Sequence, residues 1–156
     1  MPVDNFRGKY ACFSNFHDSR MIVSGVLWQT VEHPFQANKT FDKEWQQKIL
    51  EAVTPTEAKR LARKLKKLGL QRPDWEQVNI RIMYCLVLTK FMMFAEYRRI
   101  LLGTVGETLI EGNWWHDNFW GDCTCEKCAT IEGENHLGRI LTLVREYLEG
   151  FSIFSV

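Results

Sequence analysis

The chain has 156 residues, of which 20 are basic and 19 acidic, for a formal net charge of +1. That length suits one domain, since chains split into several mainly above roughly 250 residues, and the near-zero charge excludes a global field that would draw the protein onto nucleic acid or a membrane. With 46% hydrophobic and 25% charged residues, the composition also excludes a disordered or fibrous chain.

In chain order, MPVDNFRGKY at the N-terminus has no apolar h-region, and no apolar run nears the ~20 residues that span a bilayer. A cytoplasmic location is the expectation. Arg20 to Val31 (RMIVSGVLWQTV) predicts a hairpin, with β-branched and aromatic residues on either side of Ser24-Gly25. EHPFQANKTF and KEWQQKILEAV read as helical. Thr54-Pro55-Thr56-Glu57 then supplies an N-cap, a proline at N1 and a glutamate at N3, starting a helix that runs to Gly69.

Ile80, Met83, Tyr84, Val87, Leu88, Phe91 and Phe94/Ala95 recur at three- and four-residue steps, which predicts one buried face of a central helix. Phe91 to Phe94, with two methionines between, reads as core. A short helix follows, ending near Gly103, and HLGRILTLVREYL forms the last, with Leu137, Ile140, Leu141, Val144 and Leu148 inward. No repeat or linker interrupts the chain, so residues 1–156 are expected to form a single α+β domain, mostly helical with a few short strands.

Glu111 to Asn135 fits neither period, and a structureless stretch of that length in a compact domain is usually functional or ligand-bound. It holds three of the five cysteines in a C-x-C-x-x-C pattern, Cys123, Cys125 and Cys128. An odd total argues against a secreted disulfide framework. Thiolates this close converge readily on one soft cation, and a tetrahedral structural zinc would take its fourth ligand from His116, His136 or a buried cysteine. Reduced thiols that cap the loop, and redox chemistry, are the competing readings.

Elsewhere each candidate has an ordinary role beside its functional one. Glu32 and His33 open a helix, where an acid is favoured by the dipole. Asp117 and Asp122 bracket Trp120 in a loop, where acids usually bond local N–H groups. Trp75 serves either as a helix-start anchor or as a stacking face. Lys59, Arg60, Arg63, Lys64, Lys66 and Lys67 lie opposite Ala58, Leu61, Ala62, Leu65 and Leu68, a basic face suited to solvent or to a phosphate backbone.

Taken in order, Phe13-Ser14-Asn15-Phe16, Trp28-x-Thr-x-Glu32-His33-x-Phe35-Gln36-Ala37-x-Lys39, Pro55-x-x-Ala58-Lys59, Arg72-x-Asp74-Trp75, Lys90-Phe91, Asp117-x-x-Trp120-Gly121-Asp122 and Gly133-x-Asn135-x-Leu137-Gly138 resemble the NADAR (YbiA-like) family. The resemblance runs from about Phe13 to Arg145. It implies an α+β, largely helical N-glycosidase that hydrolyses the bond between a nitrogen and C1 of ribose. The substrates it implies are ribosylamino-pyrimidine phosphates, intermediates of riboflavin synthesis, or ADP-ribosyl conjugates, including ADP-ribosylated guanine in nucleic acid. The family's functional residues fall on Glu32, Trp75, Asp117 and Trp120. Asn15, Phe16, Lys39, Lys90, Asp122 and Asn135 match further positions expected to hold substrate. After Asp122 this chain departs from the pattern, inserting Cys123 to Ile131 where simpler members have a glycine-rich turn.

The chemistry suits those residue types. Breaking an N-glycosidic bond builds positive charge on the sugar, which one carboxylate can stabilise while another activates water or protonates the leaving base. No cofactor is needed for that step, and no membrane or protein partner is expected. Two other classes compete: a non-catalytic module binding NAD or ADP-ribose, and a zinc-containing nucleic-acid binder using the basic face.

Overall fold

The structure, a computed structural model, describes residues 1–153. The chain forms two compact units: Asn15–Met93, and Met1–Ser14 together with the chain from Phe94 onward. Helices dominate both, and β pairing among the described residues is limited to two short two-stranded ladders and an isolated parallel bridge, Val3 with Leu109.

In the first unit β1 (Met21–Val23) and β2 (Val26–Trp28) pair antiparallel, Met21 opposite Trp28. The turn is Ser24-Gly25, both at positive φ (51° and 77°), as a tight hairpin with right-handed twist requires. Helices α1 (Glu32–Ala37), α2 (Lys43–Leu50) and α3 (Pro55–Ala62) follow. Asp42 caps α2 by accepting from Trp45 N, and Thr54 caps α3 by accepting from Glu57 N at 3.1 Å. Glu57 reaches back to Val53 N at 3.0 Å, so the predicted capping signature operates one residue out of its usual register. Each such cap stabilises by about 1 kcal/mol. The inner faces meet in a cluster of Ala37, Ile49, Ala52, Ala58, Ala62 and Leu65. Its four alanines allow close helix approach.

The predicted helix from Pro55 to Gly69 is two pieces, α3 and α4 (Lys64–Lys67). Gly69 adopts φ 69°, and Leu70 N bonds back to Leu65 O at 2.9 Å, a Schellman-type closure. That closure turns Leu70 onto the alanine cluster and leaves Leu68 exposed, where the sequence had placed Leu68 inward.

Helix α5 (Trp75–Met93) buries Met83, Val87 and Phe91 as expected, but Ile80 faces outward and Asn79 and Lys90 take interior positions. Hydropathy assigns the interior to Ile80; two polar side chains occupy it instead. Met92 and Met93 are also exposed, at the helix's last residues.

In the second unit a 3₁₀ turn (Gly8–Phe13) packs near α6 (Ala95–Leu102), and α7 (His136–Ile153) buries Leu137, Ile140, Leu141, Val144 and Leu148, as its spacing predicts. Arg145, buried on the same helix, donates to the carbonyls of Thr104 and Glu107. Between α6 and α7 the chain is irregular except for β3 (Gly112–Asn113) and β4 (Asp122–Cys123), paired parallel. No single helix among the described residues is long and apolar enough to cross a membrane.

Candidate active site

Glu32 begins α1 and is only 5% exposed. Its N–H donates to Asn15 O at 3.1 Å, and its Oε1 accepts from Gln36 Nε2, one helical turn on, at 2.5 Å. A carboxylate so deep in a fold is unusual unless it is paired. Lys39 supplies an opposite charge: burial pushes its ammonium below the ordinary lysine value, the Glu32 carboxylate works the other way, and Lys59 on α3 and Arg63 just after it add to the lowering, with Glu76 opposing it. Lys39 is therefore influenced by the Glu32 and Glu76 carboxylates in one direction and by Lys59 and Arg63 in the other.

Next to Glu32, His33 is fully buried. Its Nε2 meets Ala52 O at 3.0 Å and its Nδ1 meets the Thr30 hydroxyl at 2.8 Å. A carbonyl only accepts, so Nε2 carries the proton and Nδ1 accepts from Thr30. Burial lowers the pKa of this imidazole, against the Ala52 bond. His33 is thus a neutral strut fixing the start of α1.

Trp75 is the first residue of α5, 6% exposed. Its ring lies 5.0 Å from Phe35 and 5.5 Å from Lys39 Nζ. The turn before it is locked by Arg72, whose Nε and Nη2 fork onto the Asp74 carboxylate at 2.7 and 2.8 Å and whose N–H donates to Lys39 O. That fork holds Asp74 below and Arg72 above their usual values. Asn79 and Met83 continue the Trp75 face at i+4 and i+8, and Asn15 Nδ2 donates to Met83 Sδ at 3.2 Å.

Three amide oxygens here, Asn15 Oδ1, Gln36 Oε1 and Asn79 Oδ1, are buried without a hydrogen-bond partner among the described residues. Each such acceptor costs about 1–3 kcal/mol, a cost commonly tolerated where a ligand supplies the missing donors. Gln36 and Asn79 were not expected as site residues; polar residues at interior helix positions were the signal available. Lys90 is completely buried and depresses the pKa of His17, after burial itself, while Phe16 is 42% exposed.

In the second unit Asp117 is held by Asn113, which donates to Asp117 O at 2.7 Å and accepts from Asp117 N at 3.2 Å. Asp117 Oδ1 accepts from Trp120 N at 2.9 Å, closing the Asp-x-x-Trp turn on itself. The turn docks on the start of α7: the N–H groups of Glu134, Asn135, His136 and Leu137 donate to the carbonyls of Asn118, Gly121, Phe119 and Trp120, satisfying donors that a helix start leaves over. The turn also lies close against the segment before β3, for a Cβ on Gly121 would strike Glu111 O. Trp120 packs edge-on against Phe119. Asp122 Oδ1 accepts from Gly133 N, and the Asn135 side chain bridges Glu111 N and Leu109 O, so both organise this backbone.

His116, Cys123, Cys125 and Cys128 gather in the same loop. His116 Nδ1 lies 3.0 Å from Cys128 Sγ and 3.6 Å from Cys125 Sγ, and this His/Cys/Cys group could hold a metal ion. Against the burial that raises it, the Cys123 thiol is held below the ordinary value by hydrogen bonds from Cys125, His116 and Cys128, whereas burial and the neighbouring sulfurs push Cys128 up to about 12.

Fold and side chains define a small, largely helical α+β protein that combines a buried carboxylate, an adjoining cation and an indole. The chain belongs to the NADAR domain family, whose model matches residues 4–149 and so runs through both units. It is 41% identical over 141 residues to the N-glycosidase Npun_R5314 of Nostoc punctiforme, covering 88% of this chain and 85% of that one. To the N-glycosidase YbiA of Escherichia coli it is 36% identical over 139 residues, 89% of this chain and 82% of that one. The NMR structure of E. coli YbiA matches with a TM-score of 0.83 at 33% identity, covering 97% of this chain and 88% of YbiA. The riboflavin biosynthesis protein VVA0006 of Vibrio vulnificus is 36% identical over 136 residues, 87% of this chain, which spans only 35% of that relative's length.

Proposed function

We propose that this protein hydrolyses the C1–nitrogen bond of a ribose that carries a 5′-phosphoryl group. The enzyme class rests on relatives named N-glycosidase at 36 and 41% identity over most of the chain: it is a hydrolase acting on N-glycosyl bonds. Ribosylamino-pyrimidine phosphates and ADP-ribosyl conjugates, including ADP-ribosylated guanine in nucleic acid, share the phosphorylated ribose. The observation that carries the reading is Glu32, buried, held by Gln36 and within electrostatic reach of Lys39.

In this mechanism Glu32 stabilises the cationic sugar as the C1–nitrogen bond breaks. Lys39, with Lys59 and Arg63 behind it, takes the phosphoryl charge. Trp75 offers a face to the base, and the carbonyls of Asn15 and Asn79 accept from sugar hydroxyls or base N–H groups. The family pattern counts Asp117 and Trp120 among the functional residues, and the proposal gives Asp117 the second carboxyl role, activating water or protonating the leaving nitrogen, and Trp120 a second stacking face. Phe16, Lys90, Asp122 and Asn135 belong to the substrate-holding set on the same grounds. No cofactor takes part in this step. A single NADAR domain acting in the cytoplasm, with its cysteines reduced, completes the proposal.

The test is mass-spectrometric product analysis with a ribosylamino-pyrimidine phosphate, NAD, ADP-ribose and ADP-ribosylated guanine DNA, using Glu32→Gln as control. A free base or amine released only by the unaltered protein supports the proposal and selects the substrate. Tight binding without product from any of the four would leave a binding module.

A further inference from the structure

We propose that His116, Cys123, Cys125 and Cys128 form one tetrahedral zinc site that fixes the loop carrying Asp117 and Trp120. Binding itself stands independently of the substrate; only its effect on turnover rests on the proposed hydrolysis.

The first observation is convergence. His116 Nδ1, Cys125 Sγ and Cys128 Sγ lie within 4.8 Å of one another; Cys123 Sγ lies outside that group but is tied to it by accepting from the N–H groups of His116 and Cys125. Zinc bonded to sulfur at about 2.3 Å and to nitrogen at about 2.0–2.1 Å sets S···N separations near 3.5 Å. The His116–Cys125 distance of 3.6 Å already meets this, and the His116–Cys128 pair at 3.0 Å needs to open by only about half an ångström.

The second observation is how the sulfurs are surrounded. The N–H groups of His116 and Cys125 both point at Cys123 Sγ, at 3.2 and 3.4 Å, an arrangement that favours thiolate over thiol. Cys123 and Cys128 are 3 and 2% exposed, a setting in which a sulfur gives up its proton only when a cation takes its place. Three thiolates and an imidazole select a soft divalent ion rather than magnesium or calcium. Each ligating thiol gives its proton to solvent.

Four protein ligands leave no open position for water, which marks a structural site rather than a hydrolytic one. The ligand His116 has φ 68°, unfavourable outside glycine, and Asp117 follows it directly. Beyond Cys123, Thr124 N and Oγ1 both donate to Asn113 O. Asn113 holds Asp117, so the cluster and the acid share one support.

The test is zinc content by mass spectrometry together with thermal melting, on protein reconstituted with zinc under reducing conditions. About one zinc per chain is expected, retained in Glu32→Gln, lost in Cys128→Ser and reduced in His116→Ala, with a lower Tm after chelation. Where a variant does not fold, cobalt titration of the unaltered chain serves: a thiolate-to-cobalt charge-transfer band with tetrahedral d–d intensity is expected. Folded, reduced protein that takes up neither ion would overturn the site. Loss of turnover on zinc removal with Tm and ligand affinity unchanged would overturn its structural role. Zinc bound normally by protein that cleaves no substrate would leave the site standing and count against the hydrolysis alone.

Discussion

Gln36 donates its amide N–H to Glu32 across one turn of α1 while its own carbonyl oxygen lies buried without a partner among the described residues. One end of the amide fixes the acid and the other stays open to a ligand. Replacing Gln36 by Leu removes a hydrogen bond to a charged group, typically about 1.5–3 kcal/mol. The expected result is a kcat/KM lower by about 10- to 100-fold with Tm little changed. Unaltered kinetics would remove Gln36 from any positioning role.

Glu32→Gln and Asp117→Asn keep the shape of each side chain and remove its charge. Each is expected to reduce turnover by at least about 100-fold, with the far-ultraviolet dichroism of the unaltered protein. Normal turnover in either variant would strike that residue from the mechanism. Asn113→Ala, which frees Asp117 from two hydrogen bonds, should give an intermediate loss.

The cations behind Lys39 make a sharper prediction about substrate. Removing Lys59 and Arg63 together should raise KM for the 5′-phosphorylated compound by about three- to tenfold, since partly exposed charges contribute about 0.2–1 kcal/mol each. KM for its dephosphorylated counterpart should not move. Equal effects on both compounds would show that these side chains do not meet the phosphoryl group.

Histidines set the response to acid. Burial holds His33, and burial with Lys90 holds His17, below the usual imidazole value, so the unfolded chain binds protons there before the folded one does. Their stabilisation is present above the unfolded-state pKa of about 6.5 and is lost as pH falls through it toward the lower folded-state values. Tm is expected to drop between pH 7 and 5, with a shallower drop in His33→Gln. A pH-independent Tm over that range would contradict the neutral strut.

Much of the fold was legible because local rules and burial agreed. The Ser24-Gly25 hairpin, the Thr54 cap and the inward stripe of α7 each follow from short-range chemistry. Disagreement came where polar residues were placed inside: Asn79 and Lys90 hold the interior of α5, and Ile80 stands in solvent. Such inversions are expected where a protein trades local consistency for a site. Motifs singled out Glu32, Trp75, Asp117 and Trp120 as candidates, but not the side chains that hold them. Asn113 and Gln36 act through hydrogen bonds that only the folded backbone defines, and only the folded loop brings His116, not His136, to the cysteines. His136 Nε2 instead meets Glu134 at 2.8 Å.

The start of α7 carries one more consequence. Its first N–H groups are occupied by carbonyls of the Asp117–Gly121 turn, so this terminus cannot cradle a phosphate through its backbone, as helix starts in many nucleotide-binding proteins do. In the proposed function the phosphoryl group falls instead to the side chains of Lys39, Lys59 and Arg63, and attraction to exposed charges fades with ionic strength. On that proposal, affinity for the phosphorylated substrate falls as salt rises, while the docking of the turn on α7, made by peptide N–H and carbonyl groups, does not.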